Sequence, residues 1–184
     1  MTRNKLIILD RDGVINEDSD DYVKSVDEFV PIKGSIEAIA RLSNNGYHVY
    51  IATNQSGLAR GFYSENTLAQ MHAKLIKLLS EYNGVISGIF YCPHHPDDKC
   101  SCRKPLPGLI EQIENHFGSS AEGAYFIGDS LSDLQAASVK KCRPILVNTG
   151  KGRKTIENGL GNFSDTAIFA NLDQAVEAIL QGQV

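Results

Sequence analysis

The chain has 184 residues, of which 42% are hydrophobic and 22% charged, and its formal net charge is −4. No run approaches the roughly 20 apolar residues that span a bilayer, and the negative charge offers no general attraction to nucleic acid or to anionic membranes. The apolar run at residues 6–9 is too short for the core of a secretory signal. We therefore expect one domain over residues 1–184, cytoplasmic and monomeric, that binds neither nucleic acid nor membranes.

Strand and helix signals alternate along the chain. Apolar runs predict strands at residues 5–9, 26–30, 48–52, 86–92, 124–127 and 144–147. Helical spacing of apolar residues predicts helices around residues 36–42, 64–79, 107–113, 131–139 and 172–180, and residues 150–164 are the predicted mobile loop. This alternation favours an α/β fold with a mostly parallel sheet flanked by helices. The connections are too short for a large cap domain.

The first predicted strand ends in two aspartates, Asp10 and Asp12, followed by Gly13. Side chains two positions apart share one face of an extended chain, so both carboxylates can enter one crevice. Two carboxylates that close repel each other unless a cation neutralises them. Mg²⁺ takes oxygen ligands and often reaches its substrate through a phosphate, although Asp and Gly are also common in simple turns.

Two later strands end in polar clusters as well. Residues 53–57 (Thr-Asn-Gln-Ser-Gly) follow the strand at 48–52, and Gly128-Asp129-Ser130 follows the strand at 124–127. Ligands of open α/β sheets bind outside the carboxyl ends of the strands. All three clusters are therefore predicted to meet in one site.

A compact group of cysteines and histidines lies in residues 92–102. Cys92, His94, Cys100 and Cys102 form the pattern C-x-H-x5-C-x-C, which matches the three thiolates and one imidazole of a structural zinc site. Neighbouring His95 is the alternative nitrogen ligand, and a disulfide is the alternative to a metal. Four protein ligands leave no position for a reactive water, so we expect this zinc loop to be structural.

Two cations, Arg103 and Lys104, directly follow the zinc loop. In isolation such a pair is typical of a solvated surface loop. Placed near Asp10, however, the ammonium group of Lys104 would offset the negative charge that phosphoryl transfer gathers in a site.

The order and spacing of these motifs resemble the four motifs of the haloacid dehalogenase superfamily of phosphohydrolases. The resemblance covers nearly the whole chain and rests on Asp10-x-Asp12-Gly13, Thr53-Asn54, Lys104 and Gly128-Asp129-x-x-x-Asp133. It implies a Rossmann-like sheet and hydrolysis of a phosphomonoester through an aspartyl-phosphate intermediate.

The resemblance also implies a role for each carboxylate. Asp10 would be the nucleophile, and Asp12 would protonate the leaving oxygen and then activate the hydrolytic water. Mg²⁺ would bind the carboxylates of Asp10 and Asp129 and the backbone carbonyl of Asp12, with Asp133 supporting the metal from behind.

Three further residues would handle the phosphoryl group by the same resemblance. Thr53 and the backbone of Asn54 would hold the phosphoryl oxygens. Lys104 would fix both the nucleophile and the phosphate.

Within the superfamily, residues 10–16, 53–61, 92–96 and 102–105 resemble the phosphatases that remove the C7 phosphate of heptose 1,7-bisphosphate. This resemblance implies a small phosphorylated sugar as substrate and a role in lipopolysaccharide or other surface-glycan assembly. It further implies substrate contacts from Asp18, Tyr22, Gln55, Ser56, Arg60 and Arg103.

Two features depart from the heptose group. The five-residue gap between His94 and Cys100 resembles the related histidinol-phosphate phosphatases, and Ser130 stands where the heptose enzymes often have lysine. A second phosphate would need Arg60 and Arg103, whereas a cationic imidazole amine would not, which favours the bisphosphate. A third hypothesis, from another class, is a zinc-stabilised binding module without catalysis.

Overall fold

A computed structural model of the chain describes residues 5–184, so the first four residues of the predicted domain lie outside it. The strands are β1 (Leu6–Leu9), β2 (His48–Asn54), β3 (Gly88–Cys92), β4 (Tyr125–Gly128), β5 (Arg143–Val147) and β6 (Ala167–Phe169). The helices are α1 (Ser35–Asn44), α2 (Glu65–Ser80), α3 (Gly108–Phe117), α4 (Leu131–Val139), α5 (Gly152–Glu157) and α6 (Leu172–Leu180). Single 3₁₀ turns lie at Pro96–Asp98 and Gly161–Phe163.

The six strands form one parallel sheet in the order β3-β2-β1-β4-β5-β6. Ile8 of the central strand β1 lies opposite Tyr50 of β2 on one side and Phe126 of β4 on the other. The strand order reverses between β1 and β4, and the crevice outside the carboxyl ends of such a pair is where ligands bind. The predicted α/β class is confirmed.

Side chains of β1 alternate between two cores. Ile7 and Leu9 join the core formed with α1, α2 and α6, whereas Leu6 and Ile8 join the core formed with α3 and α4. All four are fully buried, as expected of a central strand covered by helices on both faces. No helix within residues 5–184 combines the length and apolar character needed to cross a membrane.

The strand predicted at residues 26–30 is wrong, because this segment is a turn. The side chain of Phe29 is fully buried, and Lys74 of α2 donates hydrogen bonds to the carbonyl oxygens of Val26 and Phe29 at 2.7 and 2.8 Å. The apolar residues here anchor a loop to α2 instead of pairing with a strand.

The loop predicted at residues 150–164 contains helix α5 and a 3₁₀ turn, and strand β6 follows it without having been predicted. Gly152 packs so closely on the carbonyl oxygen of Val147 that a Cβ atom would lie 1.7 Å from it. Strand β6 has three residues, too few for an alternating pattern to be read from the sequence.

Candidate active site

The carboxyl ends of β1, β2 and β4 open into a cleft of about 330 Å³. We predicted catalytic, substrate-binding and magnesium-binding residues, and all but two of them line this cleft. They are Asp10, Asp12, Asp18, Tyr22, Thr53, Asn54, Gln55, Ser56, Arg103, Lys104 and Asp129. Asp133 lies fully buried behind this cleft, and Arg60 is treated below. The sheet topology therefore brings together residues that are more than 100 positions apart in the chain.

Lys104 lies at the centre of the charged part of the cleft. Its Nζ atom is 2.9 Å from Oδ1 of Asp10 and 2.6 Å from Oδ1 of Asp133, and it donates to the carbonyl oxygen of Ala52 at 2.8 Å. Burial alone would lower the pKa of this lysine, but the two carboxylates outweigh burial and raise it. Lys104 is thus a fixed cation beside Asp10.

Asp10, Asp129 and Asp133 form a carboxylate cluster whose nearest oxygens lie within 4.8 Å of one another. Burial, and then repulsion from the neighbouring carboxylates, raises the pKa of Asp129 to about 8. Burial likewise raises the pKa of Asp10 to about 6, in spite of Lys104. One lysine therefore does not balance the charge of this cluster.

The carboxylate of Asp129 lies in a space that only glycine permits. A Cβ atom on Gly13 would be 2.1 Å from Oδ2 of Asp129, and one on Gly150 would be 2.2 Å from the same oxygen. The backbone N–H of Lys151 donates to this oxygen at 2.7 Å. The cluster offers only oxygen donors and carries excess negative charge, and both properties fit Mg²⁺.

Asp12 has the opposite electrostatic environment. Burial would raise its pKa, but the guanidinium group of Arg11, together with hydrogen bonds from Asn16 and Gln55, holds that pKa below its usual value. Arg11 is fully buried, and its Nη2 atom contacts Oδ1 and Oδ2 of Asp12 at 2.7 and 3.0 Å. Asp10 and Asp12, two positions apart, thus have opposite electrostatic environments.

Asn54 links the end of β2 to the segment that carries Lys104. Its side-chain oxygen accepts from the backbone N–H of Lys104 at 3.0 Å, and its side-chain nitrogen donates to the Lys104 carbonyl at 3.1 Å. Thr53 is 1% exposed at the same strand end. The two residues predicted to hold a phosphoryl group are therefore adjacent to the lysine predicted to contact it.

The outer part of the cleft is formed by residues 18–22 and by Arg103. Asp18 pairs with Lys151 at 3.2 Å, and the ring of Tyr22 lies 5.0 Å from that of Phe62. Among the described residues, the buried Nη1 atom of Arg103 has no hydrogen-bond partner. The guanidinium group of Arg103 thus lies in the lining of this part of the cleft and carries a donor that no described residue satisfies.

Arg60 is the predicted substrate contact that the structure does not bring to the cleft. It is exposed in the turn after Ser56, and it is absent from the residues that line the cleft. The expectation for Arg60 came from the resemblance, and its exposed side chain lies outside the cleft lining.

The zinc loop brings its four predicted ligands together. Ligand atoms of Cys92, His94, Cys100 and Cys102 all lie within 4.8 Å of one another. The Nδ1 atom of His94 is 3.2 Å from Sγ of Cys102, whereas His95 caps the adjacent 3₁₀ turn and accepts from the backbone of Asp97. The four cysteines of the chain are free thiols, so the donor set fits a zinc ion better than a disulfide.

Sequence reasoning missed several residues that contact the predicted site, among them Arg11, Asn16, Tyr63 and Lys151. Asn16 follows Asp12 closely enough for a turn to have suggested its contact. The positions of Tyr63 and Lys151 depend on how distant loops pack, and no local sequence pattern predicts them.

Comparisons with known proteins agree with this geometry. A family profile described as HAD-hydrolase-like matches residues 101–175. The D-glycero-β-D-manno-heptose-1,7-bisphosphate 7-phosphatase of Pseudomonas aeruginosa is 53% identical over 96% of this chain and 98% of its own length. The Neisseria meningitidis enzyme of the same name is 48% identical over 96% of this chain and 95% of its own.

A solved structure has the same fold. The D,D-heptose 1,7-bisphosphate phosphatase of Bordetella bronchiseptica, complexed with magnesium and phosphate, superposes with a TM-score of 0.93 at 49% identity, covering 96% of this chain and 98% of its own. The chain therefore belongs to the haloacid dehalogenase superfamily of hydrolases, in the family of the D-glycero-β-D-manno-heptose-1,7-bisphosphate 7-phosphatases.

Proposed function

We propose that this protein is a magnesium-dependent phosphatase that removes the C7 phosphate of D-glycero-β-D-manno-heptose 1,7-bisphosphate. The observation that carries the proposal is one cleft that holds two cationic groups besides the Asp18–Lys151 pair. These are Lys104 beside Asp10, and Arg103, whose Nη1 atom has no hydrogen-bond partner within residues 5–184. Each of these two cationic groups can pair with one phosphate of a bisphosphate. The names of the relatives support the same substrate.

Asp10 is the proposed nucleophile. Asp12 takes up a proton as the substrate phosphate arrives, because the negative charge of that phosphate raises the pKa of the carboxyl. The Asp10 carboxylate attacks phosphorus, the bond between phosphorus and the C7 oxygen breaks, and Asp12 donates its proton to the departing oxygen. A water molecule then gives a proton to Asp12 and attacks the phosphorus of the aspartyl phosphate, which releases inorganic phosphate and restores Asp10. Lys104 and Thr53 hold the phosphoryl oxygens during both steps.

Mg²⁺ would be held by the carboxylates of Asp10 and Asp129 and by the backbone carbonyl of Asp12, with Asp133 behind them. When bound, it supplies positive charge that offsets the carboxylates and the phosphoryl oxygens. The excess negative charge of the cluster and the glycine-lined space around Asp129 support this assignment.

Arg103 is the proposed partner of the second phosphate, since its planar guanidinium group can donate two parallel hydrogen bonds. Asp18 and Tyr22 contact the sugar in this proposal, while Asn54 and Ser56 contribute at the end of β2. Arg60 can take part only if the turn that carries it moves toward the cleft.

A structural zinc ion on Cys92, His94, Cys100 and Cys102 completes the proposal. Four protein ligands would leave no position for a reactive water, so this ion would stabilise the loop and would not activate water. The cytoplasmic location and the monomeric state remain predictions, and size-exclusion chromatography with light scattering tests the latter.

The proposal is tested by phosphate release in the presence of Mg²⁺. We expect kcat/KM for the heptose bisphosphate to exceed that for histidinol phosphate by about 100-fold or more, which corresponds to about 2.7 kcal/mol. Asp10→Asn should lose several orders of magnitude, whereas Asp165→Asn, an exposed control, should not.

Three other outcomes would change the assignment. Preference for histidinol phosphate would keep the reaction and change the substrate. Full activity of Asp10→Asn would exclude Asp10 as the nucleophile. Absence of turnover with either compound would favour the binding module.

A further inference from the structure

Gln55 lies at the end of β2 with its side chain only 3% exposed. Its Nε2 atom donates to Oδ2 of Asp12 and to Oγ1 of Thr53, both at 2.8 Å. One amide group therefore holds the proposed acid and a proposed phosphate-binding hydroxyl at the same time. A residue that contacts both is placed to set their relative positions.

Tyr63 and Arg11 hold the oxygen of this amide. The buried hydroxyl of Tyr63 donates to Oε1 of Gln55, and Nη2 of Arg11 lies 3.4 Å from the same oxygen. Arg11 can only donate and the carboxylate of Asp12 accepts, so Oε1 faces Arg11 and Tyr63 while Nε2 faces Asp12 and Thr53. Burial raises the pKa of Tyr63 to about 12, which keeps its hydroxyl protonated.

The ring of Tyr63 reaches this position because residue 57 is glycine. A Cβ atom on Gly57 would lie 2.3 Å from Cε1 of Tyr63. The tyrosine, the glutamine and the two groups that the glutamine holds therefore form one packed unit beneath the cleft.

The contacts also distinguish the two oxygens of Asp12. Oδ1 receives hydrogen bonds from Nε and Nη2 of Arg11 and from Asn16, at 3.1, 2.7 and 2.9 Å. Among the described residues, Oδ2 receives only Nη2 of Arg11 at 3.0 Å and Nε2 of Gln55 at 2.8 Å. Oδ2 therefore accepts fewer hydrogen bonds than Oδ1, and it is the oxygen that Gln55 holds.

The hydrogen bond from Gln55 to Thr53 also determines where the Thr53 hydroxyl can donate. Because its Oγ1 atom accepts a hydrogen bond from Gln55, the hydroxyl hydrogen remains available to a phosphoryl oxygen. An amide turned the other way would offer both Asp12 and Thr53 an acceptor. Asp12 would then lose a donor, and Thr53 would be drawn to donate to Gln55 instead of to substrate.

We propose that Gln55, oriented by Tyr63, is a positioning residue that aims Oδ2 of Asp12 at the leaving oxygen and leaves the Thr53 hydroxyl free to donate to phosphate. This inference rests on the proposed phosphatase activity. It gives Gln55 a role in place of the direct substrate contact expected from the resemblance, and Tyr63 a role that no motif indicates.

The experiment compares two leaving groups. The C7 alkoxide of the heptose bisphosphate needs a proton as it departs, whereas the phenolate of p-nitrophenyl phosphate is a weak base that departs without one. We expect Gln55→Leu to lower kcat/KM for the bisphosphate by about 100-fold, within the range of general acid catalysis. The loss with p-nitrophenyl phosphate should be at least about tenfold smaller.

Tyr63→Phe is the milder variant, and it carries the test if Gln55→Leu fails to fold. It removes one hydroxyl and keeps the ring, and we expect a loss of about tenfold with the bisphosphate and little loss with the aryl ester. Tyr50→Phe is the matched control, because its hydroxyl contacts His116 on the opposite face of the sheet. It should leave both activities unchanged.

Equal losses with both substrates would indicate a merely structural role and overturn the inference, as would full activity of both variants. If the wild-type protein hydrolyses neither compound, the proposed function fails and the inference fails with it. Wild-type turnover with equal losses in the variants overturns the inference alone, so the two failures are distinguishable.

Discussion

Replacing Lys104 by methionine tests the charge balance of the cleft. The side chain of Lys104 is 2% exposed and contacts Asp10, which is 13% exposed, and Asp133, which is fully buried. Methionine matches the length of the aliphatic stem but removes the ammonium group. The variant therefore leaves two buried carboxylates that lack their shared cation.

The expected loss follows from that burial. Removing one partner of a buried ion pair costs about 3–5 kcal/mol, because the remaining charge stays desolvated without compensation. Lys140→Met is the matched control, since Lys140 pairs with Glu114 at 2.7 Å near the surface. Both side chains of this pair are partly exposed, and an ion pair that water reaches contributes less, about 1 kcal/mol.

Denaturant unfolding in magnesium-free buffer measures both free energies of unfolding. Lys104→Met should lose several times as much stability as Lys140→Met. Added Mg²⁺ should recover part of the Lys104→Met loss, because it binds only the folded carboxylate cluster. If the two variants lose the same free energy of unfolding, or if Mg²⁺ recovers nothing, the proposed charge balance around Lys104 is wrong.

Three other perturbations test separate parts of the structure. Burial, and then Arg11, lowers the pKa of His72 from 6.5 to about 4, so below about pH 6.5 the unfolded chain takes up a proton that the folded chain does not. Acid should therefore reduce the free energy of unfolding by up to about 3 kcal/mol between pH 6.5 and pH 4. Denaturant titrations of His72→Gln should show a flatter dependence of this free energy on pH. An unchanged dependence would mean that His72 is charged in the folded protein. Gly150→Ala should raise the Mg²⁺ concentration for half-maximal activity by about tenfold, because its Cβ atom would lie 2.2 Å from Oδ2 of Asp129. Gly159→Ala is the control: Gly159 also has a positive φ but has open space around it, so this variant should leave that concentration unchanged. Chelation of zinc should lower both the melting temperature and kcat, with recovery on addition of Zn²⁺ but not of Mg²⁺, and an unchanged melting temperature would contradict a structural ion.

The sheet could be predicted because each of its longer strands has its own local pattern. The run that ends at Leu9 is apolar without alternation, as burial on both faces requires, and that pattern identifies it as a central strand. Strand β6 and helix α5 could not be predicted, since three and six residues are too few to define a period. Phe29 was misassigned because an apolar anchor in a loop has the composition of a strand.

The site could be predicted where its chemistry lies at strand ends. Asp10, Asp12 and Asp129 each follow an apolar run, so a parallel sheet is sufficient to bring them together. The orientation of the Gln55 amide is different, because it depends on Tyr63, whose position depends in turn on the space at Gly57. Such chains of contacts arise from packing and leave no periodic signal.

The zinc loop and the end of β2 hold Lys104 from two sides. The lysine follows Cys102 by two positions, and both of its backbone polar atoms bond to the side chain of Asn54. If the loop loses its metal, the bonds to Asn54 must hold this backbone segment alone, and the ammonium group should become less well fixed near Asp10. Loss of zinc should then impair catalysis as a Lys104 variant does, with comparable losses of activity on alkyl and aryl phosphates. Gln55 variants should instead lose more activity on the alkyl phosphate, so the two effects can be told apart.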